Sequence, residues 1–114
     1  MPNTYIDTNA LPRTSVPGAG EFTEVLNDRL CGAKNVLGAL RWLGAGDRYQ
    51  AGPNPRAHQL IYVMEGEATI RLDGRDHRVG KGAGIYLGPS ESATIAQAGA
   101  ATLKLFHLTV PRQS

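Results

Sequence analysis

Few side chains in this sequence can exchange a proton near neutral pH. The chain holds three histidines, His58, His77 and His107, and imidazole is the group whose ordinary pKa lies in that range. His107 belongs to the run LKLFHLTV at Leu103–Val110. Lys104 is the residue of that run expected to face water, so Leu103, Leu105, His107 and Thr109 share the opposite face. An imidazole on an inner wall is the best acid–base candidate in the chain. His77 stands among Arg75, Asp76 and Arg78 and reads as a surface residue. Arg41 and Trp42 are neighbours in the apolar run NVLGALRWL, so one faces each side of a strand. An Arg directed inward would need an anionic partner, and a substrate carboxylate could be that partner. Tyr62 and Tyr86 are strand aromatics that could contact a ligand. The single cysteine, Cys31, excludes an internal disulfide and reads as a small buried hydrophobe. No Ser-His-Asp spacing, phosphate loop or CxxC occurs. Gly80-x-Gly82-x-Gly84 has no helix after it, so it fails as a dinucleotide-binding turn.

The elements that must position these groups read as strands. With 114 residues, 14 of them Gly and 7 Pro, the chain suits one turn-rich domain. Residues 1–20 read as an extended N-terminal arm with a short strand near Thr4–Ile6, and residues 21–114 as a single β domain. Glu21–Leu26 alternates and predicts a strand; Asn27-Asp28 predicts a turn, or a helical turn to Leu30. Asn35–Leu43 predicts another strand, interrupted by Gly38, with a helix through Leu37, Leu40 and Leu43 as the alternative, and Gly44–Pro55 a loop by composition. Gln59–Gly74, QLIYVMEGEATIRLDG, organises the rest. It predicts two strands joined tightly at Glu65-Gly66 and a turn at Asp73-Gly74, the strongest short-range hairpin signal. Arg75–Val79, Gly84–Leu87, Ala93–Ala96 and Ala101–Val110 complete the set. Short strands at regular spacing predict an antiparallel sandwich or barrel.

Two tracts, YVMEGE at Tyr62–Glu67 and GAGIYLGP at Gly82–Pro89, resemble the cupin superfamily, whose fold is a jelly-roll barrel. Gly46 and Gly66 match the end glycines of the family's first motif. Its glutamate falls on Gln59 and its two histidines on Gly52 and Asn54, or on Pro53 and Pro55 with the shorter spacing. Gly82 opens the second motif, whose P-x-G falls on Gly88-Pro89-Ser90, its histidine on Ala93 and its asparagine on Gln97. The resemblance thus covers Gly46 to Gln97. Cupin metal sites resemble three His with one Glu or Gln, and none of those His positions holds His here. The neutral amides of Gln59 and Asn54 do not hold a transition metal without imidazole, thiolate or carboxylate help. The expectation is therefore an all-β, antiparallel jelly-roll with no metal and no cofactor. It resembles the metal-free members: sugar epimerases, polyketide cyclase-type proteins and simple ligand-binding barrels.

If Gln59 points inward as the motif implies, Ile61 and Val63 join it, and His58 turns outward with Leu60, Tyr62 and Met64. That apolar outer stripe calls for a cover from the N-terminal strands or a second subunit, hence a homodimer. Glu91 follows Pro89-Ser90 near the motif histidine and is a candidate for the barrel mouth.

The expected function is binding of a small organic molecule in the barrel. His107 and Gln59 would be catalytic and Arg41, Tyr62, Tyr86, Glu91 and Asn54 substrate-binding, in a metal-independent isomerase, cyclase or dehydratase reaction. The alternative is a non-catalytic sensor or carrier, and without a DNA-binding segment not a complete transcription factor. A second alternative is a metal site displaced onto His58, His107 and Glu91. A net charge of +2 with scattered Lys and Arg predicts no nucleic-acid partner. No apolar run is long enough for a membrane span and no leader is visible, which predicts a cytoplasmic protein.

Overall fold

Alternating side chains and frequent turn residues permit only short extended segments. The computed structural model has ten of them among the residues it describes, 10–26 and 36–111. They are β1 (Thr14–Val16), β2 (Gly20–Leu26), β3 (Leu37–Leu43), β4 (Arg48–Ala51), β5 (Ala57–Glu65), β6 (Glu67–Leu72), β7 (Arg75–Gly80), β8 (Gly84–Leu87), β9 (Ala93–Ala98) and β10 (Leu103–Pro111). Every pairing is antiparallel. A six-stranded sheet runs β1-β2-β3-β10-β5-β8, and a four-stranded sheet runs β4-β9-β6-β7. The jelly-roll expectation holds. The expected strand near Thr4–Ile6, the turn at Asn27-Asp28 and Cys31 lie outside the described residues.

Glu65-Gly66 is where the chain changes sheets. β5 ends at Glu65 in the larger sheet and β6 begins at Glu67 in the smaller one. Gly66 has φ +85°, and a Cβ there would press on the Thr102 carbonyl oxygen at 2.7 Å. Only glycine accepts both conditions. The Asp73-Gly74 turn closes the β6–β7 hairpin, with both residues at positive φ as a two-residue hairpin turn requires.

One expectation is corrected. Gly44–Pro55 is not all loop: Arg48–Ala51 is β4, paired along β9 through Tyr49↔Ile95 and Ala51↔Ala93. Its Gly- and Pro-rich flanks hide a period-two pattern in which Arg48 and Gln50 are exposed and Ala51 is buried.

The inner faces of the two sheets meet in a core of Leu43, Ile61, Val63, Leu103 and Leu105 against Ile70 and Ile95, all fully buried. Burying such side chains contributes roughly 1.5–3 kcal/mol each. Moving along β10 from Leu105 to His107 leaves this core, and the same inner face turns polar.

Candidate functional site

The polar part of the interior is built from four strands. β10 contributes His107, β5 Gln59, β3 Arg41 and, from the opposite sheet, β4 Tyr49. Register explains the grouping. Thr109 pairs with Gln59, His107 with Ile61 and Ala39, and Leu105 with Val63 and Arg41, so these side chains share the inner face. Gln59 is 4% exposed, and Arg41, Tyr49 and His107 are half-buried.

These groups form one chain of contacts. Tyr49 Oη lies 2.6 Å from His107 Nδ1, and His107 Nε2 lies 2.7 Å from Gln59 Oε1. The Arg41 guanidinium lies over the Tyr49 ring at 3.8 Å and near the Phe22 ring at 4.8 Å. The proton positions follow from the partners. Burial first, and then the charge of Arg41, push the His107 pKa down to about 4, so the ring is neutral at pH 7. An amide oxygen only accepts, so His107 Nε2–H donates to Gln59 Oε1. Nδ1 then carries the lone pair and accepts from the Tyr49 hydroxyl. Burial raises the Tyr49 pKa, opposed by the charge and hydrogen bonding of Arg41, which keeps the phenol protonated for that role.

Two buried side-chain atoms have no partner among the described residues, Arg41 Nε and Gln59 Nε2. Both belong to this chain of contacts and both are donors. Beside it lies a cavity of about 130 Å³ lined by Glu24, Leu37, Gly38, Ala39, Arg41, Tyr49, His107 and Thr109. Leu37 and Thr109 also line a wider depression of about 410 Å³ with Val36, Asn54, Arg56, Ala57 and Pro111. The two depressions therefore adjoin at Leu37 and Thr109, and the wider one is mostly apolar.

The expected site residues divide. His107, Gln59 and Arg41 come together inside. Asn54 lies at the mouth, where its Oδ1 accepts from Arg56 N at 3.0 Å and shapes the turn. Tyr62 and Tyr86 do not reach the interior. They stand on the outer face at 42% and 60% exposed, because Tyr62 has the opposite parity to Gln59 and Tyr86 pairs with outward Leu60. Glu91 is exposed, and its Oε1 accepts from Gly88 N at 2.6 Å, holding the turn after β8. Tyr49 was missed. Its only signal was the alternation of RYQA inside a loop-like composition.

The metal alternatives can be tested on the donors. His58 and His107 lie on opposite faces of one sheet, so the displaced set of His58, His107 and Glu91 does not assemble. Among the described residues no three His, Cys, Asp or Glu side chains group as metal ligands. At the first cupin histidine position, Gly52 has φ +76°. A Cβ there would collide with the Glu91 carbonyl oxygen and lie 3.0 Å from Gln59 Nε2. With Gly52, Asn54, Gln59 and Ala93 at the motif positions, the donor set does not fit a transition metal.

The AraC-like ligand-binding domain model matches residues 38–113, two-thirds of the chain and most of the barrel. The chain belongs to this family. No protein of curated function matches the sequence. Among solved structures, a predicted oxalate decarboxylase from Thermotoga maritima superposes with TM-score 0.83 at 16% identity, over 96% of this chain and 100% of that one. KdgF from a Halomonas species gives TM-score 0.77 at 15% identity, over 97% and 96%. An RmlC-like cupin from Shewanella frigidimarina gives 0.76 at 16%, over 99% and 95%. At these identities the likeness is one of fold: this AraC-like domain shares the cupin-type jelly-roll of those structures.

Proposed function

We propose that this AraC-like domain binds a small organic molecule in the cavity beside Arg41, Tyr49 and His107, and that it works without a metal. The observation that carries this reading is a neutral polar chain, Gln59–His107–Tyr49, ending beside a cation in an otherwise apolar interior. Such a setting supplies orientation and selectivity to a bound molecule. It supports binding over turnover. Both ring nitrogens of His107 are engaged by protein groups, so His107 would have to release Tyr49 or Gln59 before taking a substrate proton. The catalytic reading keeps His107 and Gln59 as its acid–base pair and requires that release.

Calorimetric titration of a small-molecule panel tests the proposal. The expected result is saturable binding that Ala39→Leu, which fills the cavity, abolishes while the protein stays folded. Binding unaffected by Ala39→Leu would move the site elsewhere, and conversion of the bound molecule in an NMR time course would restore the catalytic reading. Elemental analysis should find no stoichiometric transition metal.

Leu60, Tyr62 and Tyr86, between 40% and 60% exposed on the outer face of the larger sheet, support a homodimer through that face. Sedimentation should give a dimer that Tyr62→Glu dissociates; a monomeric wild type would refute it. The single cysteine supports a cytoplasmic setting. No helix among the described residues is long and apolar enough to cross a membrane.

A further inference from the structure

The ligand's chemistry can be narrowed from what the interior lacks. Buried polar groups are satisfied as a rule, so an orphan indicates a missing partner. Here the two orphans, Arg41 Nε and Gln59 Nε2, are both donors, and no buried acceptor is left without a partner among the described residues. Of the two, Arg41 is the one that lines the cavity, and what its Nε lacks there is an acceptor.

Arg41 makes the requirement specific. The ion pairs of the described residues use Arg13, Arg71, Arg78 and Lys104, not Arg41. The guanidinium carbon lies 3.8 Å from the Tyr49 ring centroid and 4.8 Å from that of Phe22. The N–H donors project in the plane of the group, the geometry that matches a carboxylate fork. Glu24 is the one carboxylate among the cavity's lining residues; it is exposed and has an interaction of its own.

Size and polarity set the rest of the molecule. The inner cavity, near 130 Å³, holds about four times the volume share of one water, ≈ 30 Å³. That admits a head group and little more. The mouth beyond Leu37 and Thr109 is larger and is walled by Val36, Leu37, Ala57 and Pro111, together with the polar Asn54 and Arg56.

Building on the binding reading above, we propose that the ligand is a small monocarboxylic acid, with its carboxylate on Arg41 and its apolar remainder in the mouth.

The test uses the wild-type protein and matched probes: butyrate, hexanoate and benzoate against butyramide, hexanamide and benzamide, by calorimetry and thermal shift. Each acid should bind about tenfold or more tightly than its amide, the worth of a charge-assisted hydrogen bond. Hexanoate should exceed butyrate by about fourfold for each methylene buried in the mouth. Arg41→Gln, with its fold checked by circular dichroism, should erase the preference for the acid. Amides binding as tightly as acids would overturn the carboxylate assignment and leave the binding reading standing. Absence of binding by both acids and amides would overturn the two together. The acid–amide comparison on wild type decides the matter even if Arg41→Gln does not fold.

Discussion

The molecule holds two histidine–tyrosine pairs with the same hydrogen-bond length. His107 Nδ1 and Tyr49 Oη are 2.6 Å apart, and so are His58 Nδ1 and Tyr86 Oη. The first pair meets edge to face between the sheets, and the second stacks on the outer surface. Inside, the imidazole is desolvated, lies near a cation and is hydrogen-bonded at both nitrogens. Outside, the tyrosine is 60% exposed and water competes for the same bond. The contact geometry is nearly common to both; the surroundings decide what each pair can do. A hydrogen bond costs most to lose where its partners have nowhere else to turn.

Truncation should separate the pairs most clearly. His107→Ala strands the Tyr49 hydroxyl and the Gln59 oxygen beside a new void, and should cost about 4 kcal/mol in urea unfolding. His58→Ala should cost less than about 1 kcal/mol. Equal losses would show that the two environments do not differ as described.

Acid should act on the inner pair next. The His107 pKa is lowered from 6.5 to about 4 in the folded protein. Between those values the unfolded chain takes up a proton that the folded chain refuses. The stabilisation from neutral His107 is therefore complete above pH 6.5 and falls as pH drops towards 4, by up to about 3 kcal/mol. Unfolding free energies measured across this range should lose that slope in His107→Gln and keep it in His58→Gln.

The smallest contrast is at the hydroxyls. Tyr49→Phe leaves His107 Nδ1 without its donor and should cost about 1 kcal/mol, whereas Tyr86→Phe should fall within about 0.5 kcal/mol of wild type. A larger effect for Tyr86→Phe would mean that the outer pair is covered in solution, which would strengthen the dimer proposal.

Much of this was legible in the sequence because strands have a strict period. The parity of Lys104 was enough to turn His107 inward, and the cupin register turned Gln59 inward with Ile61 and Val63. The same parity sent Leu60 and Tyr62 outward, which is why Tyr62 does not share the cavity for which it was a candidate. β4 was not legible. Four residues between glycines and prolines form a strand only because β9 supplies their hydrogen bonds, and that partner lies more than forty residues along the chain.

The sequence by itself determined the antiparallel jelly-roll, the turn positions at Gly66 and Gly74, and the loss of the cupin histidines. The strands and turns follow from residue type and alternation, whereas the jelly-roll and the vacated histidine positions follow from the resemblance to the cupin motifs. Tertiary structure alone decided that Tyr49, from the opposite sheet, closes the chain from Gln59 through His107. It also decided that Arg41 is the cation beside that chain, and that two donors there lack acceptors. Parity assigns a side chain to a face; only the packing of one sheet on the other determines which side chains meet across the interior and which are left without a partner.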